Sequence, residues 1–175
     1  MSALIDDVLD FARGRLGSGI GVQIQAVDDV DNVLSAVVTE LQDAHAERII
    51  DSNIVVNCAV DCDKGRLQQL ASNLLANALT HGSAHSPVVF TSTTNSETLI
   101  IDVWNDGEPI PSDSIDKIFA PFWRRSTSAQ REGLGLGLHI CAEIVSAHKG
   151  QLFVTSTRES GTRFTAQLPL HTISP

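Results

Sequence analysis

Residues 63–81 read DKGRLQQLASNLLANALTH and carry the strongest helical pattern in the chain. The apolar residues of this stretch recur at helical spacing and form one continuous face, which predicts a helix packed on the core. That face consists of Leu67, Leu70, Ala71, Leu74, Leu75 and Ala78. On its margin, at 100° per residue, lie Arg66, Asn73, Asn77 and His81. An amide oxygen there suits Mg²⁺, and a hydrogen bond to neighbouring backbone is the alternative.

Working outward from this helix, the chain interleaves helices with strands. Further helices are predicted at residues 3–16, from Asp29 or Asp31 onward, and from Leu134 to about His148. Strands are predicted near 22–26, 48–51, 54–60, 87–94, 97–104, 151–157 and 162–168. This order indicates an α/β domain in which helices cover one face of a sheet.

Length and charge limit the classes of protein that fit. The 175 residues are enough for one well-buried core and too few for two ordinary domains. A net charge of −9 argues against broad binding to nucleic acid or to anionic membranes. No apolar run approaches the ~18 residues of a membrane span, and the acidic, amphipathic N-terminus argues against a signal peptide. We expect a cytoplasmic domain, and membrane attachment of a longer parent protein stays open.

Three cysteines, Cys58, Cys62 and Cys141, are an odd number without the dense spacing of a disulfide framework. No second pair of cysteines or histidines completes a zinc set around Cys58 and Cys62. We therefore expect reduced thiols in the core of a cytosolic protein.

A long irregular stretch is predicted at about residues 106–133. Loops of this length are uncommon in compact domains unless they bind a ligand. Lys117, Arg124, Arg125 and Arg131 fall in it within fifteen residues, with no acidic residue among them. A basic loop on an acidic protein suggests a compact anionic ligand, and a solvated loop with incidental charge is the alternative.

A glycine run, Gly133-Leu134-Gly135-Leu136-Gly137-Leu138, follows this loop and opens the last predicted helix. Alternate glycines permit close approach of a ligand, and the unpaired N–H groups at a helix start form an anion site. The run lacks the lysine of a P-loop and does not follow a strand, so a Rossmann site is not expected. Phosphate binding is one interpretation, and a flexible hinge is the other.

A polar turn, Asn105-Asp106-Gly107-Glu108-Pro109-Ile110, follows the strand predicted at 97–104. Asn105 offers both a donor and an acceptor, which is enough to read the edge of an adenine. An ordinary Asn-Asp-Gly turn is the alternative.

The order of these signals resembles that of the histidine kinase catalytic domain. The matching elements of that family are its N, G1, F and G2 boxes and its last hairpin. They are Asn73-x-x-x-Asn77, Asn105-x-Gly107, Ile118-Phe119-Ala120-Pro121-Phe122-Trp123-Arg124, Gly133-x-Gly135-x-Gly137, and Gly161-Thr162-Arg163-Phe164 with Leu168-Pro169. The resemblance covers about residues 30–170. In addition, residues 3–16 are similar to the end of the second helix of the family's dimerisation hairpin.

The resemblance implies the Bergerat fold, an α/β two-layer sandwich. In it a mixed sheet is covered on one face by about three helices, and a flexible ATP lid closes over the nucleotide. Residues 1–18 would then belong to the dimerisation and phosphoacceptor hairpin, and residues 19–175 to the catalytic ATP-binding domain.

The resemblance also implies a role for each matched residue. Asn77 would coordinate Mg²⁺ on the ATP phosphates with Asn73 assisting, and Arg124 would approach the phosphates from the lid. His81 would lie near the adenine, and Thr162 in the floor of its pocket. The other nucleotide contacts implied are Asn105, Gly107 and Ile110 in the turn, and Gly133, Leu134, Gly135, Leu136, Gly137 and Leu138 at the lid hinge.

The implied activity is transfer of the ATP γ-phosphate to a histidine on a dimerisation domain. No histidine in this chain precedes residues 3–16, so the acceptor lies elsewhere and the chain supplies no covalent residue. The implied partners are ATP with Mg²⁺, a phosphoacceptor domain of the same or a partner subunit, and a downstream response regulator. The resemblance further implies a homodimeric full-length protein, and no nucleic acid is expected as a partner.

Three departures from the family pattern predict weaker nucleotide binding. Asn105 stands where an aspartate is usual, Pro109 where a glycine is usual, and Thr80 where a lysine or arginine is common. They keep open a nucleotide-binding docking or sensing module without kinase activity. A gyrase-type ATP-hydrolysing clamp is a further alternative. It is opposed by Asn73, which occupies the position of the glutamate base in those ATPases and cannot accept a proton at neutral pH.

Overall fold

A computed structural model describes residues 2–13, 19–123 and 134–171. The helices in these ranges are α1 (Ser2–Arg13), α2 (Val30–Ala44), α3 (Lys64–His81) and α4 (Gly137–Ala147), with a 3₁₀ turn at Ile115–Lys117. The strands are β1 (Gln25–Val27), β2 (Ile50–Val55), β3 (Val60–Cys62), β4 (Val88–Thr94), β5 (Thr98–Asn105), β6 (Gln151–Thr157) and β7 (Gly161–Pro169).

Five of these strands form one sheet in the order β2-β4-β5-β7-β6. β2 runs parallel to β4, and every other neighbouring pair is antiparallel, so the sheet is mixed. Helices α2, α3 and α4 cover one face, where Phe90 and Phe164 of the sheet and Leu70 and Leu74 of α3 are fully buried. The predicted two-layer α/β sandwich is confirmed.

Helix α3 occupies the centre of the helical layer, as its apolar face predicts. Asp63 caps its first turn, since the carboxylate accepts a hydrogen bond from the N–H of Arg66 at 3.1 Å. His148, at the end of α4 and only 1% exposed, accepts a hydrogen bond from the N–H of Asp63 through Nε2 at 3.0 Å. Its Nδ1 lies 2.8 Å from the carbonyl of Ile144, so this histidine ties the end of α4 to the start of α3.

Several predicted boundaries differ from the structure, among them that of the strand predicted near 22–26, which is β1 at Gln25–Val27. The strands expected at 48–51 and 54–60 are instead one strand, β2, and a short β3 that pairs with β1 in a separate two-stranded sheet. Pairing with β4 and β1 sets these boundaries, and such contacts are remote in sequence. Helix α4 begins at Gly137 rather than at Leu134, because Gly135 has a φ of 71° that a right-handed helix does not contain.

The cysteine expectation is wrong for one residue. Cys62 and Cys141 are buried, but Cys58 is exposed in the connection between β2 and β3. All three are free thiols.

Helix α1 packs against the helical layer through one side. The Phe11 ring makes edge contacts with the rings of Phe122 and His139, at centroid distances of 4.8 and 5.9 Å. The Asp10 carboxylate is buried against the guanidinium of Arg66, which donates two hydrogen bonds of 2.5 and 2.9 Å to it. Within the described ranges, no helix has both the length and the apolar content needed to cross a bilayer.

Candidate functional site

Three polar side chains follow one line along the second half of α3. Asn73 is half-buried, and its Nδ2 donates to the carbonyl of Gly137 at 3.4 Å. One turn later, Asn77 is half-exposed, and its amide makes no side-chain hydrogen bond within the described chain. His81 is exposed at the end of the helix. This side of α3 therefore carries the hydrogen-bonded amide of Asn73, the amide of Asn77 that is available to a ligand, and the imidazole of His81.

The end of β5 lies beside this part of α3. Asn105 is only 4% exposed and is the register partner of Thr162 on β7. Its Nδ2 donates to the carbonyl of Asp106 at 3.2 Å. Because a carbonyl can only accept, this contact directs the amide nitrogen toward the backbone and leaves Oδ1 as the acceptor for a ligand.

The turn after β5 is held by Asp106. One carboxylate oxygen accepts a hydrogen bond from the N–H of Gly107 at 2.8 Å, and the other accepts one from the hydroxyl of Ser86 at 3.1 Å. Gly107 has a φ of 152°, and an added Cβ would lie 3.0 Å from the carbonyl oxygen of His81. A side chain at this position would strain the backbone and crowd the end of α3, so glycine is favoured here.

A hydroxyl pair supports the same turn from the far hairpin. The N–H of Ile110 donates to Ser156 Oγ at 2.9 Å, and Ser156 Oγ lies 2.7 Å from Thr162 Oγ1. Sequence reasoning selected Thr162 and missed Ser156. The predicted hairpin held the signal, because a short turn at 158–160 places Ser156 opposite Thr162.

Within the glycine run, some of the described residues are buried in the core and others are exposed. Leu134 is exposed, whereas Leu136 is 2% exposed in the core and Leu138 packs against the core. The carbonyl of Gly135 accepts a hydrogen bond from the N–H of Phe122 at 3.0 Å. Gly137 is the first residue of α4, and within the described ranges no side-chain hydrogen bond caps that helix end. The first N–H groups of a helix have no intrahelical partner, and here they lie beside Asn73 and suit an anion.

The structure thus brings Asn73, Asn77, His81, Asn105, Gly107, Ile110, Thr162 and Gly137 to one end of the helical layer and sheet. The predicted lid residues Arg124 and Gly133, and Arg125 and Arg131 of the basic cluster, lie outside the described residues. Of the basic cluster, Lys117 is described and exposed. Within the described ranges, no three residues among histidine, cysteine, aspartate and glutamate are grouped to hold a metal ion.

Comparison with known proteins gives consistent matches. A family model described as "Histidine kinase-, DNA gyrase B-, and HSP90-like ATPase" matches residues 62–172. A bacteriophytochrome of Pseudomonas aeruginosa is 34% identical over 173 residues, which are 97% of this chain and 23% of that protein. The chain spans between 19% and 46% of the length of several curated relatives that it matches.

Two solved structures extend the comparison. The catalytic domain of histidine kinase ThkA, in a nucleotide-free form, is 26% identical with a TM-score of 0.71, over 85% of this chain and 96% of that one. Full-length ShkA in complex with AMPPNP is 26% identical with a TM-score of 0.78, over 99% of this chain and 36% of that one.

Proposed function

Because the chain belongs to the histidine kinase-, DNA gyrase B- and HSP90-like ATPase family and is a histidine kinase-type catalytic domain, we propose that it binds Mg²⁺-ATP and passes the γ-phosphate to a histidine outside this chain. The resemblance inferred from the ordered motifs is confirmed at the level of the family. The proposed ligand, its contacts and the transfer go further and rest on the site itself.

The Asn77 amide is the observation that carries the proposal. It lies half-exposed on α3, without a side-chain hydrogen bond in the described chain, while Asn73 one turn earlier is bonded to α4. A polar group on the margin of an apolar face favours a partner, and an amide oxygen is a ligand that Mg²⁺ accepts.

The amide oxygens of Asn77 and Asn73 fit Mg²⁺ better than a metal ion whose ligands all come from protein side chains. Mg²⁺ keeps several waters and is commonly held by one or two protein oxygens together with substrate phosphates. Asn77 would supply the protein oxygen, with Asn73 beside it. When bound, Mg²⁺ would neutralise part of the phosphate charge.

The end of β5 favours adenine as the base. With its Nδ2 on the Asp106 carbonyl, Asn105 presents an oxygen, which accepts from the exocyclic amino group of adenine. Guanine carries a carbonyl at that position and would meet a second acceptor. The neutral amide gives a weaker hydrogen bond than a carboxylate, which supports the expectation of modest affinity.

Asn73 favours holding ATP for transfer over hydrolysing it. Its amide nitrogen donates to Gly137, and a neutral amide cannot take a proton from water. Phosphoryl transfer needs chiefly positioning and charge stabilisation, to which the start of α4 would contribute N–H groups. The proposed partners are a phosphoacceptor domain of the same or a partner subunit and a response regulator, in a cytoplasmic homodimer.

Calorimetric titration with Mg²⁺-ATP tests the proposal, using Asn77→Ala and the control Asn57→Ala at an exposed loop position. We expect Asn77→Ala to weaken Mg²⁺-ATP binding about tenfold or more, and Asn57→Ala to leave it unchanged. Removing Mg²⁺ with a chelator should weaken binding to the wild type and have little further effect on Asn77→Ala.

Two outcomes would contradict the proposal. The first is an absence of binding by the folded wild-type chain at millimolar ATP. The second is an Asn77→Ala variant that binds Mg²⁺-ATP as tightly as the wild type and loses as much affinity as the wild type when Mg²⁺ is removed. Steady hydrolysis of ATP by the chain alone would favour a gyrase-type clamp instead.

A further inference from the structure

Arg48 lies in the connection between α2 and β2 and reaches the end of α3. Its Nη1 donates to the carbonyl of Leu79 at 2.5 Å, and its Nη2 donates to the carbonyl of Ser83 at 3.0 Å. Carbonyls in the last turn of a helix lack intrahelical partners, and a positive charge there interacts favourably with the helix dipole. One guanidinium therefore holds both the last turn of α3 and the loop that follows it.

The loop held by Arg48 in turn holds the turn after β5. The N–H of Ser83 donates to the carbonyl of Asp106 at 2.7 Å, and the hydroxyl of Ser86 donates to the Asp106 carboxylate at 3.1 Å. Asp106 stands between Asn105 and Gly107 in the chain. A short series of hydrogen bonds thus leads from Arg48 to Asn105, the residue proposed to meet the base, and to Gly107.

Tight packing makes this connection rigid. An added Cβ on Gly82 would lie 3.0 Å from Cβ of Asn105, and one on Gly107 would lie 3.0 Å from the carbonyl oxygen of His81. Because there is no room for a methyl group between the two segments, a shift of the loop displaces the turn as well.

Arg48 is itself fixed from α2. The side chain of Gln42 donates to the carbonyl of Arg48 at 2.6 Å and accepts from the N–H of Ile50 at 2.9 Å. Within the described chain, Nε of Arg48 is buried without a hydrogen-bond partner, which costs stability. The two charge-assisted bonds of the guanidinium offset that cost, and both are made to the loop and helix end described above.

We propose that Arg48 is a positioning residue for the adenine end of the nucleotide site. It touches no nucleotide and acts through Ser83 and Asp106 on the position of Asn105. This inference rests on the proposed function, because it presupposes that Mg²⁺-ATP binds between α3 and the turn at 105–110.

The test compares Arg48→Met, Arg48→Lys and the control Arg158→Met, an exposed residue on the turn between β6 and β7. Mg²⁺-ATP affinity is measured by calorimetry at a temperature where each variant is folded. Amide hydrogen exchange is measured on the same samples. Arg48→Met should weaken Mg²⁺-ATP binding about tenfold and speed exchange at Gly82, Ser83 and Gly107.

Arg48→Lys, which keeps the charge but not the fork geometry, should recover part of the affinity. Arg158→Met should match the wild type in both measurements. Unchanged affinity in Arg48→Met overturns the proposal, and so does faster exchange throughout the domain, which indicates a general loss of stability. If the wild type itself does not bind Mg²⁺-ATP, the proposed function fails and the role of Arg48 fails with it. If the wild type binds and Arg48→Met binds equally well, only the role of Arg48 fails.

Discussion

Cys62 on β3 is fully buried, whereas Cys58, four residues earlier, is exposed. Burial, with the nearby charges of Asp61 and Asp63 adding to it, raises the pKa of the Cys62 thiol from 9.0 to about 11. Between these two values the thiol is protonated in the folded chain and ionised in the unfolded chain. Its contribution to stability is therefore fully present below pH 9.0 and is lost as the pH rises through about 11.

We predict that the free energy of unfolding falls across this range by on the order of 2 kcal/mol because of Cys62. The chain has no tyrosine to titrate in the same range. Denaturant unfolding on both sides of the range should show the fall in the wild type and in Cys58→Ser, and a smaller fall in Cys62→Ala. A fall of equal size in Cys62→Ala would assign it to other groups.

At the scale of single elements, α1 shows what periodicity can and cannot predict. Its helical spacing was visible in the sequence, and the helix is present. Three of its apolar residues, however, face away from the domain: Ile5, Val8 and Leu9 are 60%, 43% and 48% exposed. The inward side holds Asp10 and Phe11. The spacing of apolar residues identifies a helix. Which side of the helix packs on the domain depends on partners that are distant in sequence, here the guanidinium of Arg66.

The Asp10–Arg66 pair is expected to fix α1 on the domain. Asp10→Ala would leave a mostly buried guanidinium without its carboxylate and weaken docking by on the order of 3 kcal/mol. We predict faster proteolysis and faster amide exchange in α1, with little change in the five-stranded sheet. The exposed Asp43 on α2 provides a matched control, Asp43→Ala, that should behave as the wild type. Unchanged exchange in α1 of Asp10→Ala would show that the Asp10–Arg66 pair is not needed to hold the helix.

At the scale of the molecule, long periodic segments were predicted well and short paired ones were not. α3, β4, β5 and the last hairpin follow from local patterns. β1 is predicted near 22–26 but lies at Gln25–Val27, and the three-residue β3 exists through its pairing with β1 and has no comparable local signal.

The residues of the candidate site also fall into those that the sequence predicts and those that it does not. Asn77 and Asn105 stand in recognisable motifs. Ser156 stands in no motif and is placed by the pairing of the last hairpin, whereas Arg48 reaches the site only through the tertiary fold, from the α2–β2 connection. Motif order therefore identifies the groups expected to touch a nucleotide, but not those that hold them in place.

The exposed stripe of α1, Ile5, Val8 and Leu9, belongs to a larger assembly if residues 1–18 are part of a phosphoacceptor hairpin. An apolar face of this kind gains stability by packing on neighbouring helices. In the test, a phosphoacceptor hairpin is fused to this chain on the N-terminal side of residue 2, and the fusion protein is incubated with γ-labelled ATP. We predict labelling of its histidine, and at least about a tenfold loss of labelling in Leu9→Asp with Mg²⁺-ATP affinity unchanged.

Phe153→Ser is the matched control, because Phe153 is a comparably exposed apolar residue on the edge strand β6, away from α1. Phe153→Ser should keep both labelling and affinity. Equal labelling in Leu9→Asp and the wild type would contradict the packing role of the stripe. ATP binding without any labelling of the wild-type fusion would instead favour a docking or sensing module, because the nucleotide would then be held with no phosphate passed on.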